Sequence, residues 1–346
     1  MSDRRAHLDA GIGETRGVVT LAGRPERLLI ARTGDLARQT LGAEVIGRVR
    51  KVERALALAF IDLGEGPDAV VNLRPDTARL VEGQAVRVEI RAEARAGKGA
   101  QLRLLGEAEG APRLVRPAPG VEAELAALAK SAAIETGPRA RALADAAEAE
   151  ALATEFPLPG GGRVIIEPTR ALVAVDVDVG ERAGAESKRT ARAANLAALG
   201  VAARVLRLKG EGGLVVIDLA GRGHDGPALL AAARAAFAPD PGVAFGPISR
   251  FGTLELTISR RRRGVRERLL DEGGRLTAET LALRLVRAIE REATADPGAR
   301  LAARAAPDVA TAAGAYLEAL EGRFGARLEL VAEPTRPREA FEVAPR

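Results

Sequence analysis

Three aspartates have the type and spacing to do metal-assisted chemistry on a phosphate. The stretch 171–180, ALVAVDVDVG, has the Ala and Val content of a buried strand, yet it carries Asp176 and Asp178 two residues apart. Side chains alternate along a strand, so Val173, Val175, Val177 and Val179 share one face. Leu172, Ala174, Asp176 and Asp178 share the other. Asp218 follows Leu214-Val215-Val216-Ile217, at the C-terminal end of what reads as a strand buried on both faces. Clustered carboxylates raise one another's pKa unless a cation neutralises them. If the two strands lie side by side, the aspartates suit a divalent ion whose other positions are filled by water and phosphate. The competing reading is an Asp pair that is solvated or tied to arginine, with Arg163 and Arg170 at hand.

Composition narrows the chemistry. The 346 residues contain no cysteine and two histidines, His7 and His224, which excludes disulfides and thiolate zinc sites. A metal is then held mainly by oxygen, pointing to magnesium or manganese. No apolar run approaches a membrane span and the N-terminus lacks the apolar core of a signal peptide, so a cytoplasmic protein is expected. Net charge is +5, and all but five of the 52 basic residues are arginine, whose planar fork suits phosphate. A GC-rich coding bias accounts for the overall excess equally well. The cluster SRRRRGVRER, 259–268, is either a solvated junction or a contact to a polyanion.

The elements that must position these residues follow from pattern. Residues 14–32 read as a hairpin turning at 22–25. From 45 to 103 short strands separated by Gly, Pro and charged turns indicate a small β-barrel, with Val86, Val88 and Ile90 facing one way. Residues 106–119 are a linker by composition, followed by mostly helical sequence interrupted at Gly137-Pro138. Strands over 163–166 and 172–179, a helix with Leu196, Leu199, Ala203 and Leu206 on one face, the 213–221 strand, a helix over 227–237 and a strand over 250–259 make an α/β core from 160 to 260. Helices over 276–292 and 308–320 and a strand over 327–333 close the chain.

The segments PLPGGGRVIIEPTRALVAVDVDVG, ANLAALGVAARVLRLK, GGLVVIDL and ISRFGTLEL together resemble the catalytic core of the ribonuclease E/G family. The likeness extends to Glu14-Thr15-Arg16, to IGRVRKVERALALAFIDLG and AGKGAQL, which resemble the family's OB fold, and to residues 273–335, which resemble its small C-terminal domain. The fold it implies is a multidomain α/β (α+β) protein: an RNase H-like/DNase I-like catalytic core with an inserted OB-fold β-barrel and a small α/β C-terminal domain. The division expected is 1–41 for N-terminal RNase H-like strands, 42–105 for the OB fold and 106–156 for a helical linker left from a 5′-sensor region. The catalytic core is then 157–264 and the small domain 265–346.

Carried over position by position, the resemblance puts the magnesium-binding aspartates at Asp176 and Asp218, with Asp178 where the family has an orienting asparagine. All three are candidate catalytic residues. Candidate RNA contacts are Phe60 and Lys98 in the OB fold, Asn195, Arg204 and Arg207 on the helix, Arg250 and Phe251 in the Arg-Phe-Gly element, and Arg260. The implied activity is Mg2+-dependent endonucleolytic cleavage of single-stranded RNA, with Mn2+ as an alternative ion, leaving 5′-phosphate and 3′-hydroxyl ends. A homodimer through the C-terminal domain is implied, and no zinc. Departures are also visible. The family's phosphate-gripping Arg-Thr appears as Glu135-Thr136, which predicts loss of 5′-end sensing. Its zinc-link cysteines are absent, its second OB aromatic is Val70, and an acidic residue of the core is Gly221. A catalytically impaired RNA-binding paralogue is therefore the alternative, and His224 reads as an exposed loop residue.

Overall fold

The computed structural model describes residues 3–74, 79–95, 97–131, 133–180 and 187–346. Strands β1 (Arg4–Ala10), β2 (Glu14–Leu21) and β3 (Arg24–Arg32) form an antiparallel meander. The β2–β3 turn falls at Ala22-Gly23, both at positive φ, as a two-residue hairpin loop requires.

The barrel follows: β4 (Glu44–Glu53), β5 (Leu58–Asp62), β6 (Ala69–Asn72), β7 (Ala85–Ala92), β8 (Gln101–Glu107) and β9 (Arg113–Arg116). The order β5-β6-β8-β7-β4 is closed by a β4–β5 pairing, giving a five-stranded, OB-like barrel with β9 beside β4. Val86, Val88 and Ile90 are buried inside it, as their alternation predicts.

The segment 106–156, expected as a helical linker, contains strands as well as helices. Helix α1 (Val121–Ala129), strand β10 (Ile134–Glu135) and helix α2 (Pro138–Leu152) return to the first sheet and complete it. Strand β10 pairs parallel with β1, giving the order β10-β1-β2-β3. Leu125 and Ala129 of α1 pack on Ala6 and Val19 on one face. Ala144, Ala147 and Ala151 of α2 share a core with Val18 and Leu28 on the other. Gly17 permits the first contact, since a Cβ there would lie 2.6 Å from Val121 Cγ1. Glu135 thus sits in a sheet, against Arg5 and His7, rather than in a phosphate-gripping loop. A two-residue strand paired with residues more than a hundred positions away leaves no pattern in sequence.

The central unit is a six-stranded sheet of β11 (Glu155–Pro157), β12 (Arg163–Pro168), β13 (Val173–Asp178), β14 (Gly213–Asp218), β15 (Ala244–Ile248) and β16 (Thr253–Ile258). Its order is β11-β12-β13-β14-β16-β15, and only β13 and β14 run parallel. Helix α3 (Ser187–Lys209) connects them, and α4 (Gly226–Ala236) follows β14. Val173, Val175, Val177, Val215, Ile217, Leu254 and Leu256 form one core with Leu199, Leu206, Leu229 and Phe237 of the helical segment. Both helices therefore lie on the same face. The sheet is single-sided, which corrects the reading of β14 as buried on both faces: Leu214 is 40% exposed and Asp218 is exposed.

The C-terminal segment contains α5 (Val265–Leu269), α6 (Ala278–Ala295), β17 (Leu301–Ala305), α7 (Pro307–Gly314), α8 (Leu317–Phe324), β18 (Leu328–Ala332) and β19 (Glu342–Pro345). The single helix expected over 308–320 is broken into two. Leu281 and Leu285 of α6 are buried as their spacing predicts, but against Val18, Leu28, Ile30 and Ala147. This segment shares its core with the first sheet instead of standing alone. Arg16 lies 1% exposed where the two meet, ion-paired with Asp9 at 2.6 Å, Asp145 at 2.8 Å and Glu148 at 3.1 Å.

Candidate active site

Asp176 and Asp218 are register partners across the parallel β13–β14 pair. Adjacent strands lie about 4.8 Å apart, so the two carboxylates leave neighbouring backbones on one face. Their placement follows from the pattern around them. Val175, Val177, Ile217 and Leu219 are claimed by the core under α3 and α4, which turns the aspartates to the open face. Burial pushes the Asp176 carboxyl up, and the charges of Asp218 and then Asp178 push it further. The neighbouring carboxylates thus act on Asp176 in the same direction as burial.

Asp178 does not join the pair on equal terms. It accepts from Arg163 Nε at 3.1 Å, across the β12–β13 register, and from the Gly180 N–H at 2.8 Å. Arg163 also reaches Glu155 at 3.2 Å. The arginine alternative raised from sequence thus holds for Asp178, and the cation alternative stays open for Asp176 and Asp218. Among the described residues no group of three or more His, Asp or Glu is placed to hold a metal. The donors present, two hard carboxylate oxygen ligands on an open face, fit magnesium or manganese completed by water and phosphate.

Two elements fix the loop after Asp218. Asn195 of α3 is buried; its Nδ2 donates to the Ala220 carbonyl at 3.0 Å and its Oδ1 accepts from the Ala220 N–H at 2.9 Å. The Leu219 N–H donates to the Gly252 carbonyl at 3.1 Å, joining the loop to the Arg250-Phe251-Gly252 turn. Phe251 is 77% exposed there, with the Arg250 guanidinium 4.7 Å over its ring. Gly252 is held at φ +88°, and a Cβ on it would meet His224 Nε2 at 2.9 Å. His224 is accordingly half-buried against this turn, not exposed as expected. Gly221, at φ +85°, occupies a conformation that favours glycine over the acidic residue of the family pattern.

The remaining expected contacts are not brought to this centre. Arg204 is buried, donating to the Pro25 carbonyl at 2.9 Å and to Glu150 at 2.6 Å. Arg207 is locked between Asp240 and Glu26. Both tie α3 to β3 and its surroundings. Phe60 lies half-buried on the barrel and Lys98 is exposed in the loop before β8. Arg260 packs on Gly212 and Gly213, at the end of the sheet away from the aspartates. In the arginine cluster, Arg262 pairs with Glu124, and Arg263 and Arg268 with Asp35, so half of its six arginines are tied into the junction.

The protein thus combines an α/β sheet that presents an aspartate pair with an OB-like barrel. Residues 140–263 match the Ribonuclease E/G family. The chain is 34% identical to Ribonuclease E of Haemophilus influenzae over 150 residues, 40% of this chain and 16% of that protein. It is 34% identical to Ribonuclease E of Escherichia coli, again over 150 residues, 14% of the relative. With Ribonuclease G of Salmonella typhimurium it shares 28% identity over 208 residues, 56% of this chain and 42% of the relative. The alignments thus span less than half the length of each of these relatives. Over this central segment the chain is similar to the ribonuclease E/G family.

Proposed function

We propose that this protein is a magnesium-dependent endoribonuclease cleaving single-stranded RNA. The observation that carries the reading is the Asp176–Asp218 register on the open face of the sheet, beside the exposed Phe251. Asp176 and Asp218 would hold the ion, which when bound supplies positive charge to the scissile phosphate and lowers the pKa of the attacking water. Asn195 and the Leu219–Gly252 hydrogen bond hold the loop after Asp218 in place. Phe251 offers a base a stacking platform with Arg250 above it. Attack of water on phosphorus with departure of the 3′ oxygen leaves a 5′-phosphate and a 3′-hydroxyl. Phe60 and Lys98 on the barrel are the RNA contacts away from the centre. The parallel β10–β1 pair, with helices on both faces of the sheet, supports an RNase H-like reading of residues 4–32 and 121–152 with the OB fold inserted between them. The C-terminal three-stranded sheet is the place for a homodimer contact.

Incubation of the purified protein with a 5′-hydroxyl single-stranded RNA and Mg2+ tests this. Cleavage is expected, and Asp176→Asn or Asp218→Asn should each reduce it at least about a hundredfold, as for loss of a group acting on transition-state charge. Gly221 and the salt-bridged Asp178 favour a second reading, an RNA-binding paralogue with impaired catalysis. RNA binding without cleavage in Mg2+ or Mn2+ would select it.

A further inference from the structure

A cleft of about 840 Å3 lies away from the aspartates. It is enclosed by the barrel loop carrying Arg95 and Lys98, by Thr169, Glu211 and Arg260 at one end of the six-stranded sheet, and by the segment 263–274. Thr169 precedes β13 and Glu211 precedes β14, whereas Asp176 and Asp218 stand at or near the far ends of those strands. A strand's length, roughly 20 Å, therefore separates the cleft from the carboxylate pair.

Half of the charged residues bordering the cleft are ion-paired within the protein. Asp35 holds Arg263 and Arg268, Glu93 reaches Arg268, and Glu279 holds Arg32. Arg95, Lys98, Arg260 and Arg266 make no ion pair among the described residues. Arg260 donates to the Gly212 carbonyl, and Arg95 meets Lys98 only through backbone hydrogen bonds. Burial pushes the Arg95 guanidinium down, and the charge of Arg260 pushes it further. Two guanidiniums that repel each other in a partly desolvated cleft are relieved by an anion between them. Three carboxylates also border the cleft, none of them within ion-pair distance of these cations among the described residues. Burial pushes the Glu211 carboxyl up while the charges of Arg260 and Arg266 oppose it, Glu267 accepts the Gly264 N–H and opposes the downward push on Arg95, and Glu272 is exposed at the rim.

We propose that this cleft is a second phosphate-binding subsite for the RNA strand, in which Arg95, Arg260 and Arg266 grip a phosphate between the OB-like barrel and the catalytic sheet. The inference rests on the RNA reading above, and it assigns a place where the strand is held several nucleotides from the cleavage centre. Lys98 adds a point charge at the cleft wall.

Fluorescence anisotropy in EDTA, which needs no cleavage, measures binding of two labelled single-stranded oligoribonucleotides, one with a 5′-hydroxyl and one with a 5′-phosphate. Arg95→Gln/Arg266→Gln is expected to weaken binding by about tenfold or more and to lower the slope of log K against log salt by about 1 to 2. Arg24→Gln, on the distant hairpin, should do neither. Equal loss for both probes assigns the subsite to an internal phosphate; loss confined to the 5′-phosphorylated probe assigns it to a terminal one, and either supports the proposal. If the double variant melts early, Arg95→Gln alone is read, because its side chain makes no hydrogen bond among the described residues. A folded variant that binds both probes with unchanged affinity and salt slope overturns the subsite even where the wild type cleaves. Loss of binding in the variant with no cleavage by the wild type leaves the subsite standing and removes the nuclease reading.

Discussion

At the scale of single residues the three aspartates separate into two roles. Asp176 and Asp218 face each other across one register position, while Asp178 is spoken for by Arg163 and the Gly180 N–H. Asp178→Asn keeps a side-chain oxygen to accept from Gly180 and gives up only a half-exposed ion pair, worth about 0–1 kcal/mol. Initial rates across a Mg2+ titration should therefore fall less than about fivefold for Asp178→Asn. If this variant is as inactive as Asp176→Asn, Asp178 is a ligand and the division is wrong. The change from asparagine to aspartate at this position is visible in sequence. That Arg163 answers it could only be weighed there, because the pairing depends on the β12–β13 register.

At the scale of elements, α3 carries both the loop support and a buried lysine. Lys209, at its C-terminal end, is fully buried under the Phe156 ring and donates to the Ala151 carbonyl at 2.7 Å and to the Ala153 carbonyl, closing the end of α2. Burial pushes its ammonium down to about 8 from an ordinary 10.5. The unfolded chain thus holds this proton more tightly than the folded one between pH 8 and 10.5. Below pH 8 the cost of the buried charge is fully present, and it is relieved as pH rises through that window. Urea denaturation of the wild type and of Lys209→Met, compared from pH 7 to 10.5, should show the wild type gaining about 3 kcal/mol relative to the variant. A constant difference would mean that Lys209 keeps its proton throughout. Helix α3 was legible from its apolar stripe, but Arg204 and Arg207, which resembled RNA contacts, serve to dock it. Sequence shows a basic helix face and cannot show which acids of other elements it meets.

At the scale of the whole molecule, the first and last parts of the chain are sewn together around Arg16. Burial pushes the Asp9 carboxyl up, but Arg16 and Arg141 outweigh it and hold the group below its ordinary value. Glu148 is likewise held low, by Arg287, Arg284 and Arg16 against burial. Arg16→Ala would leave Asp9 and Glu148 buried and undercompensated, a change that costs about 3–5 kcal/mol. Loss of that size in chemical denaturation, with the sheet and the C-terminal segment unfolding together, is the expected result; a change under about 1 kcal/mol would show that the network is dispensable.

The sequence by itself determined most of the local elements, the barrel alternation and the two aspartates at the ends of two strands, because periodicity and strand-end chemistry are written within a few residues. Tertiary structure decided what those elements belong to. It drew 121–152 into the first sheet, merged the C-terminal segment with the same core, left one face of the six-stranded sheet open and paired Asp178 with Arg163. Each of these rests on contacts between residues far apart in the chain, where burial and charge pairing select partners that no local pattern specifies.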